Sequence, residues 1–213
     1  MARSGYFHGD LRRALIDAGI EAARAAGPES LSLRELARIV EVAPSAVYRH
    51  FESREQLVSA LVLRTLGMVA DAMEQEISTV PATGGRAWAD GALAAVGLGY
   101  MRFAWREPGL FQLAFRAHRD LDSAHDADAR GECGRTPYEQ LERALDALQG
   151  VGELGVEDRP GAEALAWSAV HGFAMLTVDG PLRSLDAASR ERLASRVVEM
   201  VRLGLSAAAA DPR

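Results

Sequence analysis

The chain has 213 residues, of which 48% are hydrophobic and 25% charged, and its formal net charge is -6. The high apolar fraction and modest net charge exclude a mainly disordered protein and favour one or two globular domains. All 24 basic residues are arginine, which excludes lysine Schiff bases and the Walker phosphate loop.

Charge is unevenly distributed along the chain. Residues 1–64 carry nine Arg and eight acidic residues, a net charge of +1, whereas residues 65–213 carry fifteen Arg and twenty-two acidic residues, a net charge of -7. A polyanionic partner would therefore meet the N-terminal third. The single cysteine, Cys133, cannot form an internal disulfide, and the N-terminus lacks the apolar core of a signal peptide. We expect a cytoplasmic protein with no membrane partner.

Three short helices are predicted first. Apolar residues recur at helical spacing from Leu11 to Ala26, and Gly27-Pro28 ends that helix. A capping box at Ser32-Leu-Arg-Glu35 predicts the start of a second helix, which ends near Val40 or Glu41. Pro44 suits the first position of a third helix, which reaches about His50.

A long helix should follow, because Ser53-Arg-Glu-Gln56 is a second capping box and an apolar stripe continues from Leu57 to about Val80. Its roughly 28 residues would span about 40 Å. Further helical patterns cover Trp88–Phe103, Leu110–Phe115, a third capping box at Thr136-Pro-Tyr-Glu139, and two final helices over about 160–178 and 186–209. Strand signals are nearly absent. The predicted fold class is all-α.

Short helices joined by a tight turn form a helix-turn-helix arrangement. The run Val47-Tyr-Arg-His-Phe51, followed by Ser53-Arg-Glu55 and Leu57, resembles the DNA-binding domain of the tetracycline-repressor (TetR) family over about residues 8–64. The resemblance implies that the third helix enters the major groove and that the protein is a DNA-binding regulator and not an enzyme.

The same resemblance suggests which residues meet DNA. Leu36, Ala37 and Val40 would pack the second helix inward, while Val42, Val47 and Phe51 would anchor the third. The residues expected at or near DNA are Ser32, Arg34, Pro44, Ser45, Ala46, Tyr48, Arg49, His50 and Arg54. Small residues of the third helix would lie near base edges, Tyr48 would donate to a phosphate, and Ser32, Arg34 and Arg54 would clamp the DNA backbone.

Two residues depart from the family pattern. The turn between the second and third helices holds Glu41, where the family often has Gly, and the residue before the third helix is Ala43, where Ser or Thr is favoured. Glu41 must tolerate the turn or shift it, and it places an acid near DNA. A helical enzyme or small-molecule carrier without specific DNA binding therefore remains an alternative, as does a chromosome-associated protein of broad DNA affinity.

A second resemblance covers about residues 85–208. Trp167-Ser-Ala-Val-His171-Gly172 is similar to the Trp-x-x-x-His-Gly (WHG-type) C-terminal domain of some TetR regulators, which implies a ligand cavity and a dimer. Packing alone would also explain these aromatics. The candidate ligand-binding residues are Trp88, Tyr100, Phe103, Phe111, Phe115, Trp167, His171 and Met175, and we expect an apolar organic effector and no cofactor.

The last two helices would pair with their copies in a dimer. Leu193, Val197, Met200, Val201 and Gly204 form a stripe at helical spacing; packing within one chain is the alternative. A two-fold dimer predicts a palindromic operator, from which the effector would release a repressor. The expected domains are residues 1–54 for DNA binding, 55–80 as a connecting helix, and 81–213 for ligand binding and dimerisation.

Other chemical signals are weak. Gly150-Val-Gly-Glu-Leu-Gly155 matches a dinucleotide fingerprint, but a helix pattern precedes it rather than a strand. The segment from His118 through Asp120, Asp122 and His125 to Cys133 favours a solvated acidic loop over a metal site. No catalytic motif is present, and Cys133 has no identifiable activating partner in the sequence.

Overall fold

The computed structural model describes residues 8–117 and 124–208. Within these ranges the fold is all-helical, with no strand, which confirms the predicted class. The helices are α1 (His8–Ala26), α2 (Leu33–Ile39), α3 (Pro44–Tyr48), α4 (Arg54–Ile77), α5 (Gly85–Arg106), α6 (Pro108–Ala117), α7 (Pro137–Gly150), α8 (Ala162–Val178) and α9 (Ala187–Ala208). Single 3-10 turns occupy Pro28–Ser30 and Ala127–Ala129.

The chain divides into two compact units. The first unit contains residues 8–65 and 107–117 of the described chain, so α6 belongs with α1 to α3 and the first half of α4. Its core is built from Leu15, Leu36, Phe51, Leu57 and Leu61, each at most 1% exposed. A side chain at Gly109 would press on the Ala23 carbonyl, so this glycine allows α6 to lie directly against the end of α1.

The second unit contains residues 66–106 and 124–208 of the described chain. Helix α5 is its centre and packs against α7, α8 and α9. Because α5 is buried on several sides, its buried residues are not confined to one stripe and include Leu93, Val96, Met101 and Phe103. The predicted apolar face of α7 is confirmed, since Leu141, Leu145 and Leu148 are all buried.

Helix ends differ from the sequence prediction by a few residues. Helix α4 ends at Ile77 rather than Val80, which makes it 24 residues, or about 36 Å, long. The Ser78 and Thr79 hydroxyls donate to the Gln75 and Glu76 carbonyls, both at 2.7 Å. These side chains satisfy carbonyls that a further helical turn would have used, and the helix stops before Pro81.

Of the three predicted capping boxes, only the one at Thr136 forms completely. The Thr136 hydroxyl accepts from the Glu139 amide and the Glu139 carboxylate accepts from the Thr136 amide. Ser32 accepts from the Glu35 amide at 3.1 Å, but the Glu35 carboxylate binds Arg38 instead of returning to Ser32. A charged partner one helical turn away thus displaces the neutral backbone donor.

The box at Ser53 is shifted by one residue. Ser53 Oγ accepts from the Gln56 amide at 3.3 Å, as predicted. The Gln56 side-chain oxygen, however, accepts from the Glu52 amide at 2.9 Å rather than from the Ser53 amide. Both contacts still satisfy backbone donors at the start of α4.

Glu41 is the one non-glycine residue with a positive φ among the described residues, at 58°. The turn between α2 and α3 therefore keeps its left-handed geometry despite lacking the family's Gly. The left-handed conformation costs an L-residue about 1–2 kcal/mol. Glycine would avoid this cost, but its greater conformational freedom in the unfolded chain would offset part of the gain in stability.

We expect Glu41→Gly to raise the free energy of unfolding by about 0.5–1 kcal/mol, as measured by urea denaturation. Glu29→Gly is the matched control. Glu29 is exposed in the preceding 3-10 turn and has no positive φ, so glycine there should lower stability by a similar amount. Equal effects at the two positions would contradict strain at Glu41.

Helix α4 is long and apolar enough to cross a bilayer by length and composition alone. However, 56% of its most apolar window is buried inside the fold. It is therefore a core helix of this protein, and its hydropathy reflects packing rather than a lipid contact.

Candidate nucleic-acid interface

Helices α2 and α3 form the predicted helix-turn-helix. The left-handed Glu41 lets the Val42 amide return to the Ala37 carbonyl at 2.9 Å, which closes the turn after α2. Pro44 occupies the first turn of α3. Val47 and Phe51 are 0% and 1% exposed, so they anchor α3 as predicted. The opposite side of α3 is thereby fixed toward solvent.

Most of the predicted DNA-binding residues are exposed. Ala46 and His50 are half-buried, and the exposed members of the set are Ser32, Arg34, Pro44, Ser45, Tyr48, Arg49 and Arg54. Tyr48 is 47% exposed, which is unusual for a large aromatic side chain. The face therefore offers an aromatic hydroxyl and a guanidinium next to small residues.

The arginines of this face differ in what they already bind. Arg38 forms a salt bridge with Glu35 at 2.6 Å, and hydrogen bonds from Arg38 hold the pKa of the Glu35 carboxyl below its usual value. Within the part of the chain that the structure describes, no hydrogen bond or salt bridge engages the Arg34 or Arg49 guanidinium. Arg34 and Arg49 are therefore the cations that can meet a phosphate without first losing a partner.

One feature of the face could not be read from the sequence. Arg54 Nε donates to the Leu31 carbonyl at 2.9 Å, and Arg54 Nη2 donates to the Pro28 carbonyl at 3.1 Å. These partners are backbone atoms 23 and 26 residues away, and no local sequence signal identifies them. Ala43, by contrast, leaves α3 without a side-chain cap, as the sequence already indicated.

In the second unit, three of the predicted ligand-binding residues come together. Trp167 Nε1 donates to Tyr100 Oη at 3.3 Å, and Tyr100 Oη lies 2.7 Å from His171 Nδ1. Since Tyr100 Oη already accepts from Trp167, its single proton is best donated to His171 Nδ1. The ring proton of neutral His171 then lies on Nε2. We call these three hydrogen-bonded side chains the Trp167–Tyr100–His171 relay.

The other predicted ligand-binding residues are distributed more widely. Phe103 is buried, Met175 is half-buried, and the Arg143 guanidinium lies 5.2 Å from the Trp88 ring centre. Phe111 and Phe115 belong to the first unit, where their ring centres are 4.8 Å apart. The structure therefore does not bring this pair into the unit that holds the relay. Spacing along the chain gave no sign that α6 would join α1.

A second aromatic cluster, also in the second unit, was not apparent from the sequence. Trp105 Nε1 donates to Thr177 Oγ1 at 2.9 Å, and the Arg190 guanidinium lies 4.5 Å from the Trp105 ring centre. The contact of Cys133 was not apparent from the sequence either, because Cys133 lies in the turn before α7 and Gln140 on α7. Gln140 Nε2 lies 3.4 Å from Cys133 Sγ and donates to the Ala70 carbonyl at 2.9 Å.

The acidic segment is described in part. His118, Asp120 and Asp122 lie outside the described residues, whereas His125, Asp126, Asp128 and Cys133 lie within them. Among the residues that the structure does describe, no group of three or more metal-ligating side chains is close enough to hold an ion. Gly150–Gly155 forms the end of α7 and a loop that reaches α8 without a strand.

Burial lowers the pKa of His171 and raises the pKa of Tyr100. The unfolded imidazole titrates near pH 6.5, so below that pH the unfolded state binds a proton that the folded state resists. Stability should therefore fall as the pH drops from about 6.5 through the folded-state pKa.

We expect His171→Asn to remove this part of the acid-side loss, because an Asn side-chain oxygen can still accept from Tyr100 but does not titrate. Urea denaturation between pH 5 and 8 measures it. His125→Asn is the control, because His125 is 59% exposed and should leave the acid-side loss in place. An unchanged pH profile for His171→Asn would contradict the lowered pKa of the buried His171 side chain.

Helices α8 and α9 present apolar side chains to solvent. Leu165 and Leu176 of α8 are 67% and 43% exposed, and Met200 and Leu203 of α9 are 68% and 51% exposed. The inward face of α9 is instead Ala194, Val198 and Leu205. A groove of about 440 Å³ between the helices is lined by Ala169, Gly172, Phe173, Leu176, Val197, Met200 and Val201.

Comparison with known families favours one of the functions that the sequence left open. Residues 93–201, half of the chain, match the model described as tetracyclin repressor-like, C-terminal domain. Residues 15–61 match the model described as bacterial regulatory proteins, tetR family. The chain belongs to the TetR family. This TetR-family protein is therefore a DNA-binding transcriptional regulator of a non-enzymatic family, and the helix-turn-helix is its DNA-binding element.

Solved structures share the fold at low identity. A protein of unknown function from Rhodococcus sp. RHA1 is 24% identical, with a TM-score of 0.73 over 96% of this chain and 100% of its own. RolR, solved with its ligand resorcinol, is 16% identical, with a TM-score of 0.63 over 96% and 95%. A TetR-family regulator from Marinobacter aquaeolei VT8 is 17% identical, with a TM-score of 0.59 over 90% and 94%. No curated protein sequence matches at a significant level.

Proposed function

We propose that this TetR-family regulator is a cytoplasmic, homodimeric repressor that leaves a palindromic operator when a small organic molecule binds. The observation that carries the DNA-binding part is the exposed face of α3, where Tyr48 and Arg49 point outward while Val47 and Phe51 are buried. An arginine of a recognition helix can read guanine or contact phosphate, and a tyrosine hydroxyl can donate to phosphate. Ser32 and Arg34 at the start of α2 would contact the adjacent DNA backbone.

The dimer is supported by the outward faces of α8 and α9. Four large apolar residues are exposed there, more than isolated surface exposure would explain. A Cβ at Gly172 would meet no atom within 4 Å, so a second helix has room to approach. Half-sites one helical turn of DNA apart would follow from a two-fold dimer. Sedimentation should give a dimer at micromolar concentration for the native chain and a monomer for Met200→Arg.

The effector is proposed to bind in the second unit, near the Trp167–Tyr100–His171 relay. Bundle cavities that bind small molecules are largely apolar with a few placed polar groups, which matches aromatic rings joined by two hydrogen bonds. RolR binds resorcinol, so small phenols are the first compounds to screen by thermal shift. We also propose that Trp167, His171 and Gly172 mark a WHG-type C-terminal domain. In this proposal residues 1–54 bind DNA, residues 55–80 form a connecting helix, and residues 81–213 bind the ligand and dimerise.

We expect Arg49→Ala to weaken operator binding by about 1–3 kcal/mol, five- to 150-fold, and Tyr48→Phe by about fivefold. Fluorescence anisotropy with labelled operator measures both. Arg183→Ala is the control, because Arg183 is an exposed arginine of the second unit and its loss should leave affinity unchanged. If Arg49→Ala binds as tightly as the native protein, the proposed reading face of α3 is wrong.

A further inference from the structure

Arg54 begins α4, yet its side chain is directed to the chain segment that enters α2. One edge of the guanidinium is used, since Nε donates to the Leu31 carbonyl at 2.9 Å and Nη2 to the Pro28 carbonyl at 3.1 Å. This two-donor edge is the geometry in which Arg makes its most specific contacts. The contact joins residues 23 and 26 positions apart.

The two carbonyls belong to the segment that sets the position of α2. Pro28 begins the 3-10 turn, and Leu31 precedes Ser32, the N-cap of α2. The Ser30 hydroxyl fixes the other side of this turn by donating to the Gly27 carbonyl at 2.7 Å. Beyond Ser32 lies Arg34, whose guanidinium has no hydrogen-bond or salt-bridge partner among the described residues. A shift of this segment would therefore move Ser32 and Arg34 together.

We propose that Arg54 is a positioning residue, which holds the start of α2 so that Ser32 and Arg34 meet the DNA backbone, and that it is not itself a phosphate ligand. The inference rests on the proposed DNA-binding function and replaces the phosphate-clamp role that the sequence suggested for Arg54. The two carbonyls occupy the Nε–Nη2 edge, which leaves a phosphate only Nη1 and the second Nη2 hydrogen unless it displaces them.

Arg54→Lys separates the two roles, because lysine keeps the positive charge but lacks two parallel N–H donors. For a phosphate ligand the charge is what matters, so Arg54→Lys would bind DNA like the native protein. For a positioning residue, we expect about fivefold weaker operator binding, the loss of one hydrogen bond's contribution. The dependence of affinity on salt should stay unchanged, because no phosphate contact is lost.

Arg34 supplies the matched control. Arg34→Gln should reduce the slope of log affinity against log salt by about 0.9, the value of one phosphate contact. In the DNA-free proteins, hydrogen exchange of the Glu35 and Leu36 amides should be faster in Arg54→Lys and unchanged in Arg34→Gln. Those two amides donate to Ser32 atoms, so they report the start of α2 directly.

Native affinity and native exchange in Arg54→Lys would overturn the proposal, as would a salt slope reduced by about 0.9 in Arg54→Gln with exchange unchanged. The exchange measurement needs no DNA. If the native protein showed no operator preference, the proposed function would fail. Faster amide exchange in Arg54→Lys would still support the role of Arg54 in holding the start of α2, and exchange at the native rate would still contradict it.

Discussion

Phe51→Ala should lower the free energy of unfolding of the first unit by about 3–5 kcal/mol, the usual cost of removing a buried phenylalanine. Phe51 is 1% exposed, and the Arg12 guanidinium of α1 lies 5.3 Å from its ring centre. Its loss leaves a cavity just after α3, between residues that otherwise keep that helix in place. DNA binding should be lost with the fold. Urea denaturation and circular dichroism measure the effect.

Tyr48→Ala is the matched control for this prediction. Tyr48 is three residues away and 47% exposed, so truncating it should change stability by less than about 1 kcal/mol while weakening DNA binding. Phe51→Ala therefore reports stability and Tyr48→Ala reports DNA recognition, although the two residues are only three positions apart. If Phe51→Ala kept the native midpoint of denaturation, the packing of α3 described above would be wrong.

Gly99→Ala should destabilise the second unit by about 1–3 kcal/mol, although alanine favours a helix over glycine. A Cβ at Gly99 would lie 2.7 Å from Met73 Cα and 2.9 Å from the Ala72 carbonyl oxygen. These are backbone atoms of α4 and cannot turn aside as a flexible side chain would. Helices α4 and α5 must then separate, and the contacts around them loosen.

Gly150→Ala provides the comparison, because a Cβ at Gly150, the last residue of α7, would meet no atom within 4 Å. We expect that variant to equal or slightly exceed the native protein in the denaturant midpoint. Were both glycine variants neutral, close approach of α4 and α5 at Gly99 would be excluded. Loss of stability in Gly99→Ala, with a gain in Gly150→Ala, would identify Gly99 as the position at which α5 packs closely against α4.

Local patterns predicted those parts of the fold that depend on neighbouring residues. Pro44 at the start of α3, the Thr136 capping box and the apolar face of α7 all follow from spacings of three or four residues. The inward anchors Val47 and Phe51 were also predicted, because the helix-turn-helix fixes which face of α3 is buried. The all-α class and the exposed face of α3 could therefore be predicted from local patterns in the sequence.

Features that depend on distant partners escaped prediction. The Glu35 carboxylate is a local exception, because Arg38 three residues further on binds it in place of the Ser32 amide. Arg54 had the charge expected of a phosphate ligand, and only the folded chain shows two carbonyls at its guanidinium. Phe111 and Phe115 were grouped with Trp167 as aromatics, whereas α6 joins the first unit. Composition and spacing contain no information about such long-range pairs.

Glu41 lies between these two cases. Its departure from the family's glycine was visible in the sequence, but whether the turn would shift was not. The structure keeps the left-handed conformation, with φ at 58°, and the Val42 amide still reaches the Ala37 carbonyl. The surrounding contacts thus impose on glutamate a conformation that glycine would adopt at lower cost.

The central claim is that this protein recognises a specific DNA sequence through α3. Fluorescence anisotropy with DNA from the region upstream of its own gene, against scrambled competitor over a salt series, tests it most directly. When that region lacks the site, selection from random DNA supplies it. We predict binding that survives a large excess of scrambled DNA and is weakened by Arg49→Ala. Equal binding to selected and scrambled DNA, with salt as the sole determinant of affinity, would contradict the claim.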